Sequence, residues 1–378
     1  MLHFESKSHL TLGVEIELQL INNQTWDLSP QAIKILDQIP ESMQERIKPE
    51  IFLSMLEINT DICNNVQDVE RDLQECYDIL KPICSKLDLN LSTTATHPFA
   101  QYNERIVYPS GRYSKLMDRN QWIARRLAIF GVHVHIGMKD GDTCIKFNNF
   151  LMNFLPHLLA LSSSSPYWQG QDTGLASSRT TIFESSPTAG HPCQIKNWKE
   201  FSELHESLIR CKSIKSTKDI WWDIRPSPNF GTIEVRICDG IATNNEVLAL
   251  VSLIHALVHW YEDNNHEFNN SISPPLWLSR ENKWKATRYG MDAYIILDVN
   301  GKIIPLREHV LMWLERLEPY INHFKYEPYI KTIKNIIQKG NSSERQRRAF
   351  QKNNSLIDVV KHNCIEFNIG DPIWDLIL

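Results

Sequence analysis

Acids and imidazoles recur at alternate positions in several short stretches of this chain. In Thr11-Leu12-Gly13-Val14-Glu15-Ile16-Glu17-Leu18-Gln19-Leu20, an extended backbone puts Glu15 and Glu17 on one side and Val14, Ile16, Leu18 and Leu20 on the other. Gly131-Val132-His133-Val134-His135-Ile136-Gly137 repeats the design with two histidines. Gly231-Thr232-Ile233-Glu234-Val235-Arg236-Ile237 does so with Glu234 and Arg236, and Leu56-Glu57-Ile58-Asn59-Thr60 with Glu57 and Asn59. Adjacent carboxylates repel unless a proton or a cation lies between them. One such strand would be an ordinary solvent-facing edge. Four of them, rich in metal-ligand residue types and poor in lysine, predict a functional sheet face.

The candidate donors are Glu15, Glu17, Glu50, Glu57 and Glu234 with one histidine, His133 or His135. Magnesium takes six ligands and keeps several waters, so these acids exceed what one ion needs. Two or three magnesium ions, with manganese as an alternative, fit better, and such arrays suit phosphate chemistry. Arg236 lies two residues from Glu234 on the same face, where it would offset charge on a phosphate; the plainer expectation is that it pairs with a glutamate. Glu50 precedes Glu57 by an odd separation, which puts the two on opposite faces of a flat strand. A bulge or bend must intervene if both serve one site.

Other chemistries are excluded by what is missing. GxxxxGK[ST], GxGxxG and GxSxG are absent, so a nucleotide would be held by metals and arginines. His255 and His259 stand four apart, but Ala256 occupies the place of a zincin glutamate, so ordinary helix histidines are expected. The chain has 378 residues, 42% hydrophobic and 22% charged, enough for a substantial core, and a net charge of −5 that argues against a broad nucleic-acid footprint. Its apolar stretches are too short or too broken to span a bilayer, and its first residues do not resemble a secretory signal. Eight cysteines without a CxxC suggest neither a disulfide framework nor a zinc knuckle. A cytoplasmic protein acting on small molecules, not nucleic acid or membrane, is the expectation.

The elements that must position these residues follow from periodicity. Helices are predicted over 29–39, 68–87 (kinked or ended early by Pro82), 119–130, 143–161 (bent at Pro156), 197–211 and 245–260, and strands over 49–60, 89–95 and 220–225. A loop-rich passage over 162–192, with four consecutive serines, is long enough to be functional and is a candidate cover for the substrates. Past Pro275 come a basic loop through Arg288, a hairpin turning at Asn300-Gly301, and two or three terminal helices. No repeat or linker divides the chain, which predicts a single α+β domain over 1–378. It would be built on an antiparallel sheet with flanking helices on the apolar side and a helical C-terminal portion over about 305–378.

The ordered set Gly13-Val14-Glu15-Ile16-Glu17, Glu57-Ile58-Asn59-Thr60, Thr96-His97-Pro98, Gly131-Val132-His133-Val134-His135, Ser178-Arg179-Thr180, Trp221-Trp222-Asp223-Ile224-Arg225-Pro226-Ser227-Pro228, Gly231-Thr232-Ile233-Glu234-Val235-Arg236 and Glu281-Asn282-Lys283-Trp284-Lys285-Ala286-Thr287-Arg288-Tyr289-Gly290 closely resembles the motif series of bacterial type 2 glutamate-cysteine ligases, the YbdK-like carboxylate-amine ligases. Each motif is weak alone and the ordered set is specific. The resemblance implies a glutamine-synthetase-like catalytic core, an antiparallel sheet curled into a funnel, with ATP and magnesium as cofactors and a homodimer as the assembly. It implies metal ligands at Glu15, Glu17, Glu50, Glu57, His133 and Glu234, with His133 preferred over His135 because the motif puts the ligand first, and a phosphate contact at Arg236.

The implied reaction phosphorylates the γ-carboxylate of glutamate and joins it to cysteine or another amine, with Glu234 and Arg236 central to catalysis. Arg179, Arg225 and Arg288 are candidates for gripping ATP phosphates or the substrate carboxylate. Trp221 and Trp222, adjacent on a strand, face opposite ways, one to the core and one to the pocket wall; Trp222 is assigned to the substrate. The alternatives are the same chemistry on another carboxylate and amine, a nucleotide-binding protein with little turnover, and a two-metal phosphohydrolase.

Overall fold

The computed structural model describes residues 2–268 and 275–375. Strict alternation makes Leu12–Asn22 the central strand, β1, and Ile16, Leu18 and Leu20 on its apolar face are fully buried. Each contributes about 1.5–3 kcal/mol relative to an exposed side chain. A slip of one residue would turn all of them to solvent, so the same burial fixes the face the acids take. The other strands, in chain order, are β2 (Ile47–Pro49), β3 (Met55–Asn59), β4 (Leu89–Ser92), β5 (Val132–Gly137), β6 (Tyr167–Trp168), β7 (Gln171–Asp172), β8 (Ile224–Ser227), β9 (Thr232–Val235), β10 (Tyr294–Ile296) and β11 (Ile303–Pro305).

Strands β2-β3-β1-β5-β9-β8 form one open antiparallel sheet, and β4 pairs with β1 beyond the end of β5. Pro226, which cannot donate to a ladder, sits on the edge strand β8. Helices Val66–Lys86, Gly141–Leu151 and Asn244–Phe268 cover the apolar face, packing on β1, β8 and β5 respectively, and share one hydrophobic core with the sheet. The architecture is α+β on an antiparallel sheet, as expected.

Several elements differ from the periodicity reading. The helix expected over 29–39 is only Ala32–Leu36. Pro82 leaves Val66–Lys86 whole, because buried Leu80, Ile83 and Cys84 hold its last turns against the core. Helix 119–130 is displaced: Ser110 caps Gly111–Asn120, Gln121 breaks it at φ 48°, and after the short helix Trp122–Arg125 the chain is extended, with Phe130 N–H donating to Ala95 O at 2.9 Å. Pro156 stands in the first turn of a new helix, Leu155–Ser162, where its missing N–H costs nothing. The strand expected over 220–225 starts only at Ile224.

The passage over 162–192 carries the β6–β7 hairpin and helix Ser178–Glu184, and its four consecutive serines are buried: Ser164 N–H and Ser165 Oγ donate to the Asp239 carboxylate at 3.0 and 2.8 Å. The expected basic loop is instead helix Leu276–Tyr289. No Gly or Pro interrupts it before Gly290, and its buried stripe of Leu278, Ser279, Asn282, Lys283, Ala286 and Thr287 is polar enough to hide the period. Five terminal helices follow between Leu306 and Ile369, with Pro319 and Pro328 in the first turns of two of them.

Candidate active site

Cross-strand partners share a face, so the registers read as rows. Asn59, Glu15 and His133 form a row across β3, β1 and β5. Glu57 stands opposite Glu17, and His135, Glu234 and Arg225 cross β5, β9 and β8. Glu50 arrives by another route. Lys48 on β2 pairs with Glu57 on β3, and the turn that begins after Pro49 brings Glu50 beside that pair. This turn is the bend that the odd spacing required.

The six expected ligands separate into two triads. Donor atoms of Glu15, His133 and Glu234 all lie within 4.8 Å of one another, and so do those of Glu17, Glu50 and Glu57. The first triad is charge-compensated. His133 Nδ1 is 3.1 Å from Glu15 Oε2 and His135 Nε2 is 3.3 Å from Glu15 Oε1. Burial works against ionisation of Glu15, yet His135 and His133 hold it well below the usual carboxylate range. Arg225 donates to Glu234 from Nε at 2.9 Å and from Nη2 at 3.3 Å, and Arg236 donates to it as well. Against the cost of burial, these guanidiniums keep Glu234 ionised.

The second triad is held by neutral donors. Ile51 N–H reaches Glu50 at 2.6 Å, Gly131 N–H reaches Glu17 at 2.6 Å, and the Asn59 amide reaches Glu57 at 3.0 Å. Burial, then Glu17, pushes Glu50 up to about 7, with Arg112 offsetting part of the shift. Burial, then Glu15 and Glu50, pushes Glu57 well above its ordinary range. Three carboxylates this close share protons or a cation, and an all-oxygen set suits magnesium or manganese. The Nε2 atoms of His133 and His135 are both buried without a hydrogen-bond partner, which fits this end of the site to a cation as well. His133 is the imidazole whose donor atom groups with those of Glu15 and Glu234, and His135, its Nδ1 2.8 Å from Thr232 Oγ1, turns its Nε2 toward the same two carboxylates at 3.3 and 3.9 Å.

Both triads line a cleft of about 990 Å³, together with Arg236, Arg225 and Arg179. Arg236 lies on the expected face, bordering the cleft, and pairs with Glu234, which is the plainer of the two expectations for it. Arg179 is buried against Gly131, where a Cβ would fall 2.3 Å from its Nη2, and it donates to the Arg236 and Ile237 carbonyls at 3.4 Å. Two expected residues are not brought here. Arg288 is exposed, over the Tyr289 ring at 5.0 Å, because its segment is helical and turns it outward. Trp222 is buried and packs with Trp198 and Phe201, whereas Trp221 lines the cleft, stacked on Phe183 at 5.8 Å. The two tryptophans do face opposite ways, with the roles exchanged.

Sequence reasoning missed Phe183 and Phe230, which also line the cleft, and the helix Gly111–Asn120, which brings Arg112, Lys115 and Arg119 to its mouth. The spacing of those three cations on one helix face was the available signal. His255 is structural, its Nδ1 2.7 Å from Tyr326 Oη and its Nε2 3.1 Å from Leu10 O.

The family described as glutamate-cysteine ligase family 2 matches residues 11–362 of this chain. The chain belongs to that family. Relatives at family level include a Bdellovibrio bacteriovorus protein, 45% identical over 365 residues and 96% of each chain, and a Thermobifida fusca protein, 40% identical over 375 residues, 98% of this chain and 94% of that one. Both carry the provisional name glutamate–cysteine ligase 2. Among solved structures, glutamate–cysteine ligase from Francisella tularensis in complex with AMP superposes with a TM-score of 0.70 at 11% identity, covering 97% of this chain and 90% of that one. A bifunctional glutathione synthetase from Pasteurella multocida gives 0.70 at 13% identity, over 95% of this chain and 52% of that one. At these identities the structures show the fold, and the family membership marks the chain as glutamate–cysteine ligase-like. No helix among the described residues is long and apolar enough to cross a membrane.

Proposed function

We propose that this family 2 member is an ATP-dependent carboxylate–amine ligase that activates the γ-carboxylate of glutamate as an acyl phosphate and joins it to cysteine or another amine. The observation that supports this reading most is the pair of carboxylate triads on one sheet face, with two guanidiniums locked onto Glu234. Glu15, His133 and Glu234 would hold one divalent cation, and Glu17, Glu50 and Glu57 at least one more. Magnesium bound there neutralises polyphosphate oxygens and makes the γ-phosphorus a better electrophile.

The protein's own groups supply the rest. Arg236, oriented by Glu234, offsets charge on the transferring phosphoryl group. Arg225 holds Glu234 from the edge strand and borders the space for the substrate carboxylate. Arg179 braces the Arg236 carbonyl from below and adds positive potential toward nucleotide phosphates. Trp221 and Phe183 form an apolar wall that excludes water. The γ-phosphoryl group moves to a carboxylate oxygen as ADP leaves. The amine nitrogen then attacks the carbonyl carbon and phosphate departs with that oxygen, which turns a poor leaving group into a good one.

The test is ADP release with ATP, magnesium and glutamate across a panel of amines including cysteine, with products identified by mass spectrometry. Release that depends on an amine, with a γ-glutamyl product, supports the ligase and names its acceptor. Amine-independent release would point to a phosphohydrolase. ATP binding without release would point to a nucleotide-binding protein.

A further inference from the structure

Lys283 lies outside the cleft in the Glu281–Gly290 motif, and it is 4% exposed. Its ammonium is 2.6 Å from Asp223 Oδ2 and also pairs with Glu184. Burying an ammonium is costly unless carboxylates meet it, and here two do. What matters is where those carboxylates sit. Glu184 is the last residue of helix Ser178–Glu184, which carries Arg179 and Phe183. One turn along from Lys283, Thr287 O accepts the N–H groups of Ala176 and Ser177 at 2.9 and 3.1 Å, just before the helix begins. Successive turns of helix Leu276–Tyr289 thus hold both ends of the short helix that builds the cleft wall.

Asp223 connects the same ammonium to the catalytic strands. Its N–H donates to Gly190 O at 2.8 Å, its carbonyl accepts the Arg236 N–H at 2.8 Å, and it stands two residues before Arg225. On the wall, the Phe183 ring lies 5.7 Å from the Arg179 guanidinium and 6.0 Å from that of Arg236. We propose that Lys283, with Asp223 and Glu184, is a positioning residue that sets the Arg179–Phe183–Trp221 wall against Arg236 without touching substrate. Its kinetic consequence rests on the ligase reading; its structural consequence does not.

The experiment compares full-length wild type with Lys283→Met, Lys283→Arg and Glu184→Gln by hydrogen exchange and by steady-state ADP release. Lys283→Met should exchange about tenfold faster over 178–190 while β1 and β5 amides keep their protection. Its kcat should fall up to about 100-fold, with manganese affinity at the triads unchanged. Lys283→Arg should restore part of both. Glu184→Gln, which changes only the half-exposed partner, should move both readouts the same way by less, and it carries the test if Lys283→Met does not fold. Unchanged exchange over 178–190, or faster exchange spread evenly over the chain, would overturn the proposal. If wild type makes no ADP, the ligase reading fails and the exchange result alone decides the positioning role.

Discussion

Glu15 and His133 stand directly opposite each other in the β1–β5 register, with His133 Nδ1 3.1 Å from Glu15 Oε2. The pair joins the central strand to β5, whose six residues are all buried, and it is the point where both imidazoles and one carboxylate of the first triad meet. Glu15→Gln removes the charge and keeps the shape. Divalent-cation affinity should fall by at least about 10–100-fold and ADP release should drop below detection, while circular dichroism stays native. Titration calorimetry with manganese reads the first effect directly.

The second triad predicts a pH dependence with a definite sign. Glu50 is pushed up to about 7 by burial and by Glu17, so the ion-free protein still carries that proton under mildly acidic conditions. The unfolded chain loses its proton first, so the ion-free fold loses stability as pH rises from the ordinary carboxylate range to about 7. A cation must displace the proton, so affinity should be higher at about pH 8 than at about pH 6, with proton release on binding. The magnesium-induced rise in Tm should likewise be larger at the higher pH. Equal rises at both would show that the triad is already ionised.

Glu234 serves two guanidiniums at once. Replacing it with Gln leaves Arg225 and Arg236 facing each other across a neutral amide, and the structure should lose about 3–5 kcal/mol, the usual cost of breaking a buried pair from one side. Urea unfolding measures that loss. Turnover should be abolished in the folded fraction, and wild-type-like ADP release by the variant would contradict the role assigned to Glu234.

A different buried network should separate stability from catalysis. Arg345 is 1% exposed and donates to Glu366 from Nε at 2.6 Å and to Glu246 from Nη1 and Nη2 at 2.9 and 2.7 Å. None of the three lines the cleft. Arg345→Met strands two buried carboxylates, so the unfolding free energy should fall by about 3–5 kcal/mol, while kcat per folded molecule at low temperature stays near wild type.

Much of the site was legible because β1, β5 and β9 alternate so strictly that the period alone assigns a face to Glu15, Glu17, His133, His135, Glu234 and Arg236. Glu50 was harder to place: its position depends on a turn, and parity along a strand says nothing once the chain reverses. Trp221 and Trp222 show a related limit, since alternation says that neighbours face apart but not which side is the cleft. Arg288 was misplaced because helix Leu276–Tyr289 buries a stripe of mixed polarity, so its period is faint. The buried run of serines from Ser162 to Ser165 reads as loop composition, and only the fold shows it converging on Asp239 from far along the chain.

The most direct test of the central claim follows oxygen. Glutamate labelled with ¹⁸O in its γ-carboxylate is incubated with the enzyme, ATP, magnesium and an accepted amine, and the released phosphate is examined by mass spectrometry. An acyl phosphate requires the departing phosphate to carry one labelled oxygen for each amide formed. Phosphate that instead takes its new oxygen from water, with all label left on glutamate, would contradict the ligase and place the triads in phosphate hydrolysis.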